Sequence, residues 1–353
     1  MRELKTLCRQ NIWALSLKRN TEKVPCQHKE IIALDKNENP YNKPFNTYPD
    51  SYQEELRQKV ADVKGISKDN IILSNGSNEA IDRIIRTFCE PHIDHIVTLS
   101  PSYDMYTYCA EINGVDYKSI TLNSEFQTTA DELLNACEEN TKLIFICSPN
   151  TPSGNIINPE FIEQVLHSFE GIVIIDEAYI DFANHPSFLR ILHQNPNLII
   201  LQTMSHAWAS AAIRLGMTFA SESIINLLHT ICMPYSLNIL TQKHALEALN
   251  DPFETDKRVK LIKQERNRMM QAFLDLPCCE KVFPTETNFF LAKMKKAEDI
   301  YNYLIQHRIK VYDCRNLEQC DNCLRITIGT KTDNEALLAL SLIHISEPTR
   351  LGM

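Results

Sequence analysis

The sequence lacks any run of about eighteen consecutive apolar residues, which is the shortest stretch typical of a membrane-spanning helix. Residues 1–19 mix charged with apolar positions and do not resemble a secretory signal. Basic residues are also fewer than acidic ones: the chain has 36 Lys and Arg against 45 Asp and Glu, which gives a formal net charge of -9. Nucleic acid is therefore a disfavoured partner, since binding to its backbone relies on clustered Lys and Arg. We expect a soluble, cytoplasmic protein that binds neither membrane nor nucleic acid.

The 12 cysteines have no repeated spacing, and a disulfide framework is therefore not indicated. We expect reduced and mostly buried thiols instead. The tightest group consists of Cys314, Cys320 and Cys323. Two interpretations stay open: a zinc site with three of its ligands here, or cysteines that flank a turn. A further ligand at suitable spacing is missing, which favours the turn.

The length of 353 residues is sufficient for about two domains with a sizeable core. From Asn70 onward, short β-rich runs alternate with amphipathic segments, as in residues 71–73 followed by 80–88. This alternation predicts an α/β fold. The continuous apolar runs 172–175 and 198–201 are typical of strands that are covered on both faces, and we expect them in the middle of the sheet.

The same alternation continues in two further strand–helix pairs, and then the pattern changes. Beyond about residue 237, helices predominate, followed by mixed segments, which predicts a second and smaller α+β domain. We expect an N-terminal arm over 1–46, a large domain over 47–236 and a small domain over 237–339. The segments behind these expectations are 95–99, 106–112, 143–147 and 159–169, then 255–276, 288–292, 309–312 and 324–328.

The C-terminal segment 340–353 is interpreted separately. Residues 340–350 resemble the translation of a common sequencing-library adapter, and we predict a non-native tail here. The alternative is an ordinary amphipathic helix that ends at Pro348. If the tail is foreign, the last helix, expected to begin near Thr332, has lost its natural end.

Two predicted strand ends carry residues that suit chemistry. Residues 76–79 open a helix, so that free backbone N–H groups and the helix dipole suit a phosphate, although Ser or Asn at such a position is usually only an N-cap. Strand 172–175 ends in Asp176 and Glu177, as in the Walker B segment of a nucleotide hydrolase. The chain contains no GxxxxGK[ST] phosphate loop, which disfavours that interpretation.

Three more segments stand out. The loop 148–154, Ser-Pro-Asn-Thr-Pro-Ser-Gly, follows a buried strand and is at least a turn. Tyr103 opens a helix after another strand, where a core tyrosine with a satisfied hydroxyl is the simple alternative. Segment 202–216 places Arg214 in an otherwise apolar stretch, where a guanidinium needs an anionic partner.

Together, these motifs resemble those of pyridoxal-phosphate (PLP) enzymes of fold type I, and in particular the histidinol-phosphate aminotransferase family of the class II aminotransferases. The resemblance extends to about residue 339. It implies a mostly parallel central sheet flanked by helices, with a smaller α+β domain. It also implies exchange of an amino group between histidinol phosphate and 2-oxoglutarate, giving imidazole acetol phosphate and glutamate in histidine biosynthesis. The motifs that carry it are 34–41, 48–50, 84–91, 101–103, 148–154, 176–179, 205–216, 287–289 and 323–329.

The family pattern assigns roles around the PLP ring, with no metal ion. Asp176 keeps the pyridine nitrogen protonated, which makes the ring an electron sink. Tyr179 and Asn150 contact the phenolic oxygen, and Tyr103 stacks on the ring.

The same pattern assigns the phosphate and the substrate. Arg325 holds the carboxylate of glutamate or 2-oxoglutarate and Asn37 contacts substrate, whereas the alternative for Arg325 is a surface cation on a strand. A neighbouring subunit also contributes to the phosphate site, which implies a homodimer with shared active sites. The implied phosphate ligands are Ser77, Asn78, Ser205, Arg214 and, from the neighbouring subunit, Tyr48.

The family's cofactor lysine corresponds to His206. In these enzymes the lysine ε-amine bonds covalently to PLP and later moves a proton, whereas an imidazole has no primary amine. With an ordinary pKa of about 6.5, His206 suits only the proton transfer. Loss of the main proton shuttle typically lowers a rate by about 10²- to 10⁴-fold. We therefore predict a PLP-binding protein with little turnover.

Two neighbouring residues also depart from the family pattern, because Ala209 and Ala212 stand where glycine is common. Functions of two classes remain open. One is a transaminase, or a related aromatic aminotransferase or threonine-phosphate decarboxylase. The other is a non-catalytic relative that binds PLP or a phosphorylated amine without turnover.

Overall fold

A computed structural model describes residues 2–19 and 34–346, with side chains up to residue 340. Within this part of the chain, one large sheet contains β1 (Ile71–Ser74), β2 (His95–Ser100), β3 (Asp116–Thr121), β4 (Thr141–Cys147), β5 (Ile172–Asp176), β6 (Leu198–Thr203) and β7 (Gly216–Ala220). Their order across the sheet is β1-β7-β6-β5-β4-β2-β3. Strands β3, β2, β4, β5 and β6 are parallel, whereas β7 runs antiparallel to both β6 and β1. The expectation of a mostly parallel sheet is confirmed.

Strands β5 and β6 lie in the middle of this sheet, as their apolar runs predicted. Successive side chains of a strand point to opposite faces, and here both faces are covered. Each strand therefore contributes to two hydrophobic cores: Val173, Ile175, Leu198 and Ile200 to one, and Ile172, Ile174, Ile199 and Leu201 to the other.

Helices cover both faces of the sheet. Helix α4 is strongly amphipathic, because Ile81, Ile84, Ile85 and Phe88 are fully buried while Asp82 is partly exposed. The helices of the described residues are α1 (Leu4–Leu7), α2 (Gln10–Arg19), α3 (Glu54–Lys64), α4 (Ser77–Phe88), α5 (Met105–Ile112), α6 (Ala130–Asn135), α7 (Pro159–Ser168), α8 (Glu222–Thr230), α9 (Ile239–Asn250), α10 (Pro252–Leu274), α11 (Ala297–Gln306) and α12 (Lys331–Ser346).

A second sheet, formed within residues 279–327, is antiparallel throughout. It contains β8 (Cys279–Val282), β9 (Phe289–Met294), β10 (Tyr312–Asp313) and β11 (Cys323–Thr327), in the order β10-β11-β9-β8. A separate core beneath it includes Met269, Phe290 and Leu324. Helix α9 instead packs Ala245 and Leu249 into a core of the large sheet. The domain division at residue 237 therefore stays a prediction, whereas the smaller α+β unit has its own sheet and core.

The N-terminal segment differs from the expected irregular arm, because residues 2–19 form α1 and α2. Leu7, Cys8 and Ile12 are buried in the core that also contains α4 and α8. The amide of Arg9 donates to the carbonyl of Thr87 at 3.0 Å. Short helices such as these gain their stability from packing, which local sequence periodicity does not reveal. The part of the arm at 20–33 lies outside the described residues.

The three clustered cysteines lie in the core rather than at the surface. Cys314, Cys320 and Cys323 are all fully buried, and the amide of Cys314 donates to the carbonyl of Cys323 at 3.1 Å. Over residues 2–19 and 34–346, no group of three or more His, Cys, Asp or Glu is arranged to hold a metal ion. The contacts favour the interpretation of cysteines that flank a turn.

The C-terminal helix α12 begins at Lys331, one residue before the expected start, and extends to Ser346. Residues 347–353 lie outside the described part, so the foreign origin of the tail stays a prediction. Along the described helices, none is long and apolar enough to cross a membrane.

Candidate active site

The candidate residues gather at one edge of the large sheet, because parallel strands end on the same side. Asp176 is the last residue of β5 and lies opposite Cys147, the last residue of β4. The loop 148–154 follows β4, and Tyr103 follows β2. The sheet thus brings together side chains that are far apart in sequence.

Asp176 is buried, with 2% of its surface exposed, and its carboxylate is held on both oxygens. The hydroxyl of Tyr106 donates to Oδ2 at 2.8 Å, and the amide of Ala178 donates to Oδ1 at 3.1 Å. Burial raises the pKa of Asp176 to about 6, although both hydrogen bonds act in the opposite direction. At neutral pH this carboxylate is ionised and can pair with a cationic ring.

Tyr106 is a site residue to which the sequence analysis gave no role. Its ring is fully buried and stacks on Phe145, with the centroids 4.9 Å apart. The local sequence offers no signal for this role, because Tyr103 precedes α5, which begins at Met105, and the two tyrosines therefore do not share a helix face. The ring edge of Tyr106 meets Tyr103 at 5.7 Å.

Glu177, the neighbour of Asp176, has a structural role. Its carboxylate accepts hydrogen bonds from Ser187, Gln202 and the amide of Phe188, at 2.5, 2.9 and 2.7 Å. These bonds connect β5 to β6 and to the following loop. Only Asp176 of the pair therefore serves the candidate site.

An anion cradle forms where the N-terminus of α4 meets Arg214. A Cβ atom on Gly76 would lie 2.6 Å from Nη2 of Arg214, so the guanidinium packs directly against the start of the helix. A Cβ on Gly216 would lie 2.5 Å from the carbonyl carbon of Gly76 and 2.7 Å from the amide nitrogen of Ser77. Backbone N–H groups, a helix dipole and a guanidinium thus meet with no side chain between them. The sequence analysis assigned no role to Gly76 or Gly216.

The pairing of the strands places Ser205 at the same edge of the sheet. Gly216 pairs with Thr203 of β6 on one side and with Ser74 of β1 on the other. Oγ1 of Thr203 lies 2.9 Å from Oγ of Ser205 and accepts a hydrogen bond from the amide of Ser205 at 3.1 Å. Ser77, Ser205 and Arg214 are therefore brought to one place, as the family pattern implies.

His206 stacks its ring on Tyr179, with centroids 4.5 Å apart and planes 21° from parallel. Burial lowers the pKa of His206 from 6.5 to about 4, and the positive charges of Arg325 and Arg214 act in the same direction. The imidazole is therefore neutral at pH 7. Burial also raises the pKa of Tyr179, whose ring meets Phe289 edge-on at 5.2 Å.

Tyr103 and Asn150 are engaged with their neighbours. The hydroxyl of Tyr103 donates to Oδ1 of Asn78 at 2.9 Å. The side-chain amide of Asn150 donates to the carbonyl of Pro101 at 3.0 Å and to Oγ of Ser153 at 2.8 Å. Both amide hydrogens of Asn150 are thus engaged within the protein.

Arg325 faces the loop 148–154 rather than solvent. Its Nη1 donates to Oγ1 of Thr151 at 2.6 Å, while its Nε is buried and has no hydrogen-bond partner among the described residues. The guanidinium carbon lies 4.2 Å from the ring centroid of Tyr312 and 5.0 Å from that of Phe289. This geometry disfavours the alternative of a surface cation.

Asn37 and Tyr48 lie on an exposed segment outside this cluster. Asn37 is exposed and has a φ of 53°, and Tyr48 is 54% exposed and stacks on Tyr235 at 4.7 Å. The amide of Tyr48 donates to Oε1 of Glu38 at 2.7 Å. The roles implied for Asn37 and Tyr48 stay predictions.

Comparisons with known proteins show the family to which this chain belongs. Residues 17–340 match the family model of class I and II aminotransferases. A histidinol-phosphate aminotransferase from Bacteroides thetaiotaomicron is 46% identical over 342 residues, covering 96% of this chain and 98% of the relative.

Solved structures show the same fold. The histidinol-phosphate aminotransferase from Clostridium acetobutylicum superposes with a TM-score of 0.79 at 25% identity, over 86% of this chain and 91% of that one. The histidinol-phosphate aminotransferase from Sinorhizobium meliloti, solved in complex with pyridoxal-5'-phosphate, superposes with a TM-score of 0.78 at 22% identity. The match covers 85% of this chain and 83% of that one. The chain therefore belongs to the class I and II aminotransferases and, within them, to the histidinol-phosphate aminotransferase family.

Proposed function

We propose that this chain binds PLP in the site of a histidinol-phosphate aminotransferase, and that His206 leaves it with little turnover. The reaction for which the site is built transfers an amino group from histidinol phosphate to 2-oxoglutarate. The observation that carries the proposal is the convergence of Arg214, Ser205 and the N-terminus of α4 at the edge where Asp176 lies buried. An anion site beside a buried carboxylate matches the two ends of PLP, a phosphate and a pyridine nitrogen.

The cradle fits the phosphate end of PLP. Gly76 and Gly216 leave the helix N-terminus open, and side chains at either position would fill it. Arg214 can form paired, charge-assisted hydrogen bonds with a phosphate, and the hydroxyls of Ser77 and Ser205 add neutral donors. The hydroxyl of Tyr103 meets Asn78 at 2.9 Å, which fixes the tyrosine ring beside the cradle.

The buried carboxylate fits the ring end of PLP. When bound, PLP supplies an electron-withdrawing ring that stabilises negative charge on the substrate's Cα. Asp176, with a pKa of about 6, is mostly ionised at neutral pH and would hold a proton on the ring nitrogen by charge attraction. Tyr179 offers a hydroxyl to the phenolic oxygen. Asn150 can do so only after one of its amide hydrogens leaves Pro101 or Ser153.

His206 limits what the chain's own residues can do. Its imidazole cannot form the covalent bond that a lysine amine forms with an aldehyde. A general base works best when its pKa lies near the operating pH, and the pKa of His206 is about 4. The imidazole is thus a weak acceptor for the Cα proton, so both functions of the usual lysine are impaired.

The proposed assembly is a homodimer in which Tyr48 reaches the phosphate site of the neighbouring subunit. The segment around Tyr48 exposes several large apolar side chains, and such a patch marks an interaction surface. These exposed side chains are Leu34 (90%), Tyr41 (77%), Phe45 (59%) and Tyr48 (54%).

The cysteines bear on the compartment. The free and largely buried thiols in the described part of the chain are in keeping with a reducing compartment such as the cytoplasm.

The substrate is tested with the His206→Lys variant, which restores the amine. Histidinol phosphate, threonine phosphate and phenylalanine are each supplied with PLP and 2-oxoglutarate, and glutamate and carbon dioxide are measured. We expect glutamate formation with histidinol phosphate to have the highest kcat/KM. Release of carbon dioxide from threonine phosphate as the fastest reaction would instead assign a decarboxylase.

A further inference from the structure

Arg325 lies on β11, an inner strand of the four-stranded small sheet, with an aromatic residue on the strand at each side. In register, Arg325 of β11 lies opposite Tyr312 of β10 and opposite Leu291 of β9. Phe289 is two residues from Leu291 along β9. Alternate residues of a strand share a face, so the two rings and the guanidinium project from the same face of the sheet.

Both rings lie within the distance at which an aromatic face attracts a cation. The guanidinium carbon is 4.2 Å from the centroid of Tyr312 and 5.0 Å from that of Phe289, and such contacts extend to about 6 Å. Because the rings come from strands on opposite sides of β11, they restrain the guanidinium from two directions. Contact with aromatic rings on two sides suits the flat guanidinium of arginine better than the compact ammonium of lysine.

A hydrogen bond fixes the remaining rotation of the guanidinium. Thr151 is 5% exposed, and its Oγ1 accepts a hydrogen bond from Nη1 of Arg325 at 2.6 Å. With Nη1 engaged, the edge formed by Nε and Nη2 remains for a ligand. Nε is buried with no partner among the described residues, and a carboxylate that binds the two nitrogens side by side would satisfy it.

We infer that Tyr312 and Phe289 are positioning residues of a carboxylate subsite, whose ligand-binding group is the Nε–Nη2 edge of Arg325. The inference rests on the proposed function, because glutamate and 2-oxoglutarate are the substrates that bring a carboxylate to this site. Tyr312 gives the cleaner test. It is 47% exposed and can be replaced without opening a cavity, whereas Phe289 is 3% exposed and also packs against Tyr179.

The test is a calorimetric titration of glutarate into the chain, with and without added PLP, using the variants Tyr312→Leu and Tyr312→Phe. Tyr312→Leu keeps an apolar side chain but removes the ring, and we expect glutarate affinity to fall about five- to tenfold. Tyr312→Phe keeps the ring and should stay within about twofold of the parent. Tyr117→Leu is the matched control, since Tyr117 is a similarly exposed tyrosine, at 42%, on β3. PLP affinity should be the same in all four chains.

The titration separates failure of this inference from failure of the proposed function. Absence of PLP binding, with glutarate binding still dependent on the Tyr312 ring, would contradict the cofactor assignment and leave the subsite standing. The subsite inference would be overturned by a parent chain that does not bind glutarate. Equal affinity in Tyr312→Leu, or a loss in Tyr312→Phe as large as in Tyr312→Leu, would overturn it too.

Discussion

At the scale of the residue, His206 and Asp176 have pKa values shifted in opposite directions by the same cause. Burial favours the neutral form of each group, which lowers the pKa of His206 to about 4 and raises the pKa of Asp176 to about 6. In the folded protein without cofactor, His206 thus stays neutral to a lower pH than an ordinary imidazole, and Asp176 stays protonated to a higher pH than an ordinary carboxyl. Their contributions to the pH dependence of stability oppose each other over nearly the same range.

The sign of each contribution follows from proton linkage. A folded pKa below the unfolded value means that His206 stabilises the fold above pH 6.5 and loses that contribution as the pH falls towards 4. For Asp176, the folded pKa is above the unfolded value of 3.8, so its contribution is lost as the pH rises towards 6. The two groups therefore partly cancel in the parent chain.

The variant His206→Gln removes one of these two opposing contributions. Between pH 4 and pH 6.5, the free energy of unfolding of the parent should rise relative to the variant by about 2–3 kcal/mol. Urea unfolding of both chains without PLP, at half-unit pH steps, measures this difference. Parallel curves across that range would show that His206 titrates normally and would remove the argument for a neutral imidazole.

At the scale of the element, the anion cradle depends on how closely β7 approaches the N-terminus of α4. Gly216→Ala would place a methyl group 2.5 Å from backbone carbon of Gly76, and backbone cannot move aside as a flexible side chain can. We expect a loss of about 1–3 kcal/mol in the free energy of unfolding, with weaker PLP binding. Chemical denaturation and a PLP titration provide the two measurements.

Gly65→Ala is the control for this substitution. Gly65 has a φ of 67°, but no atom lies within 4 Å of an added Cβ. It should lose stability through its backbone conformation and leave PLP affinity unchanged. If Gly216→Ala also leaves PLP affinity unchanged, the close approach does not serve the cradle.

Ala209 and Ala212 both stand where the family commonly has glycine, but they differ in backbone conformation. Ala209 has a φ of 50°, a conformation that disfavours a side chain with Cβ, whereas Ala212 lies in the short 3₁₀ turn Ala211–Ile213. Ala209→Gly should stabilise the chain by about 1 kcal/mol, and Ala212→Gly should destabilise it by about 0.5–1 kcal/mol. Thermal unfolding of the pair checks the opposite signs, and the same sign in both would contradict the account.

The sequence predicts the central elements well and the peripheral ones poorly. Strands β5 and β6 are long apolar runs because each fills two cores, which is a local signal. Strand β7 is not predicted because it has only five residues and its position between β6 and β1 is decided by long-range pairing. Segment 309–312, which the sequence analysis gives only as one of the mixed segments of the small domain, contributes a single residue to a strand, since β10 spans Tyr312–Asp313. Its two residues are held by pairing with β11, which local pattern does not show.

The residues of the candidate site divide in the same way, into those that a sequence motif identifies and those whose role depends on tertiary contacts. Asp176, Ser205 and Arg214 stand in motifs and were identified from sequence. Tyr106 and Tyr312 act through the side chains that they touch, and those contacts depend on sheet register and helix packing. The positions that motifs alone do not reveal are therefore the ones that support the ligand-binding groups.

At the scale of the whole molecule, the exposed segment 34–52 argues for a partner subunit. Tyr48 is exposed and stacks on Tyr235, and the family pattern directs it to the neighbouring site. We expect the chain to sediment as a homodimer. Tyr48→Phe should remain dimeric yet bind PLP about 10- to 100-fold more weakly, because one hydrogen bond to a charged group contributes about 1.5–3 kcal/mol. A monomer in the parent chain, at micromolar concentration, would contradict shared active sites.

The central claim is that the PLP site is complete except for the amine that His206 lacks. The most direct test compares kcat/KM for histidinol phosphate, with PLP and 2-oxoglutarate, among the parent, His206→Lys and His206→Gln. We predict that His206→Lys exceeds the parent by at least about 100-fold and gains a visible absorption band with PLP, while the parent stays within about tenfold of His206→Gln. A parent chain as active as His206→Lys would contradict the claim, and so would a lysine variant that gains neither the band nor the rate.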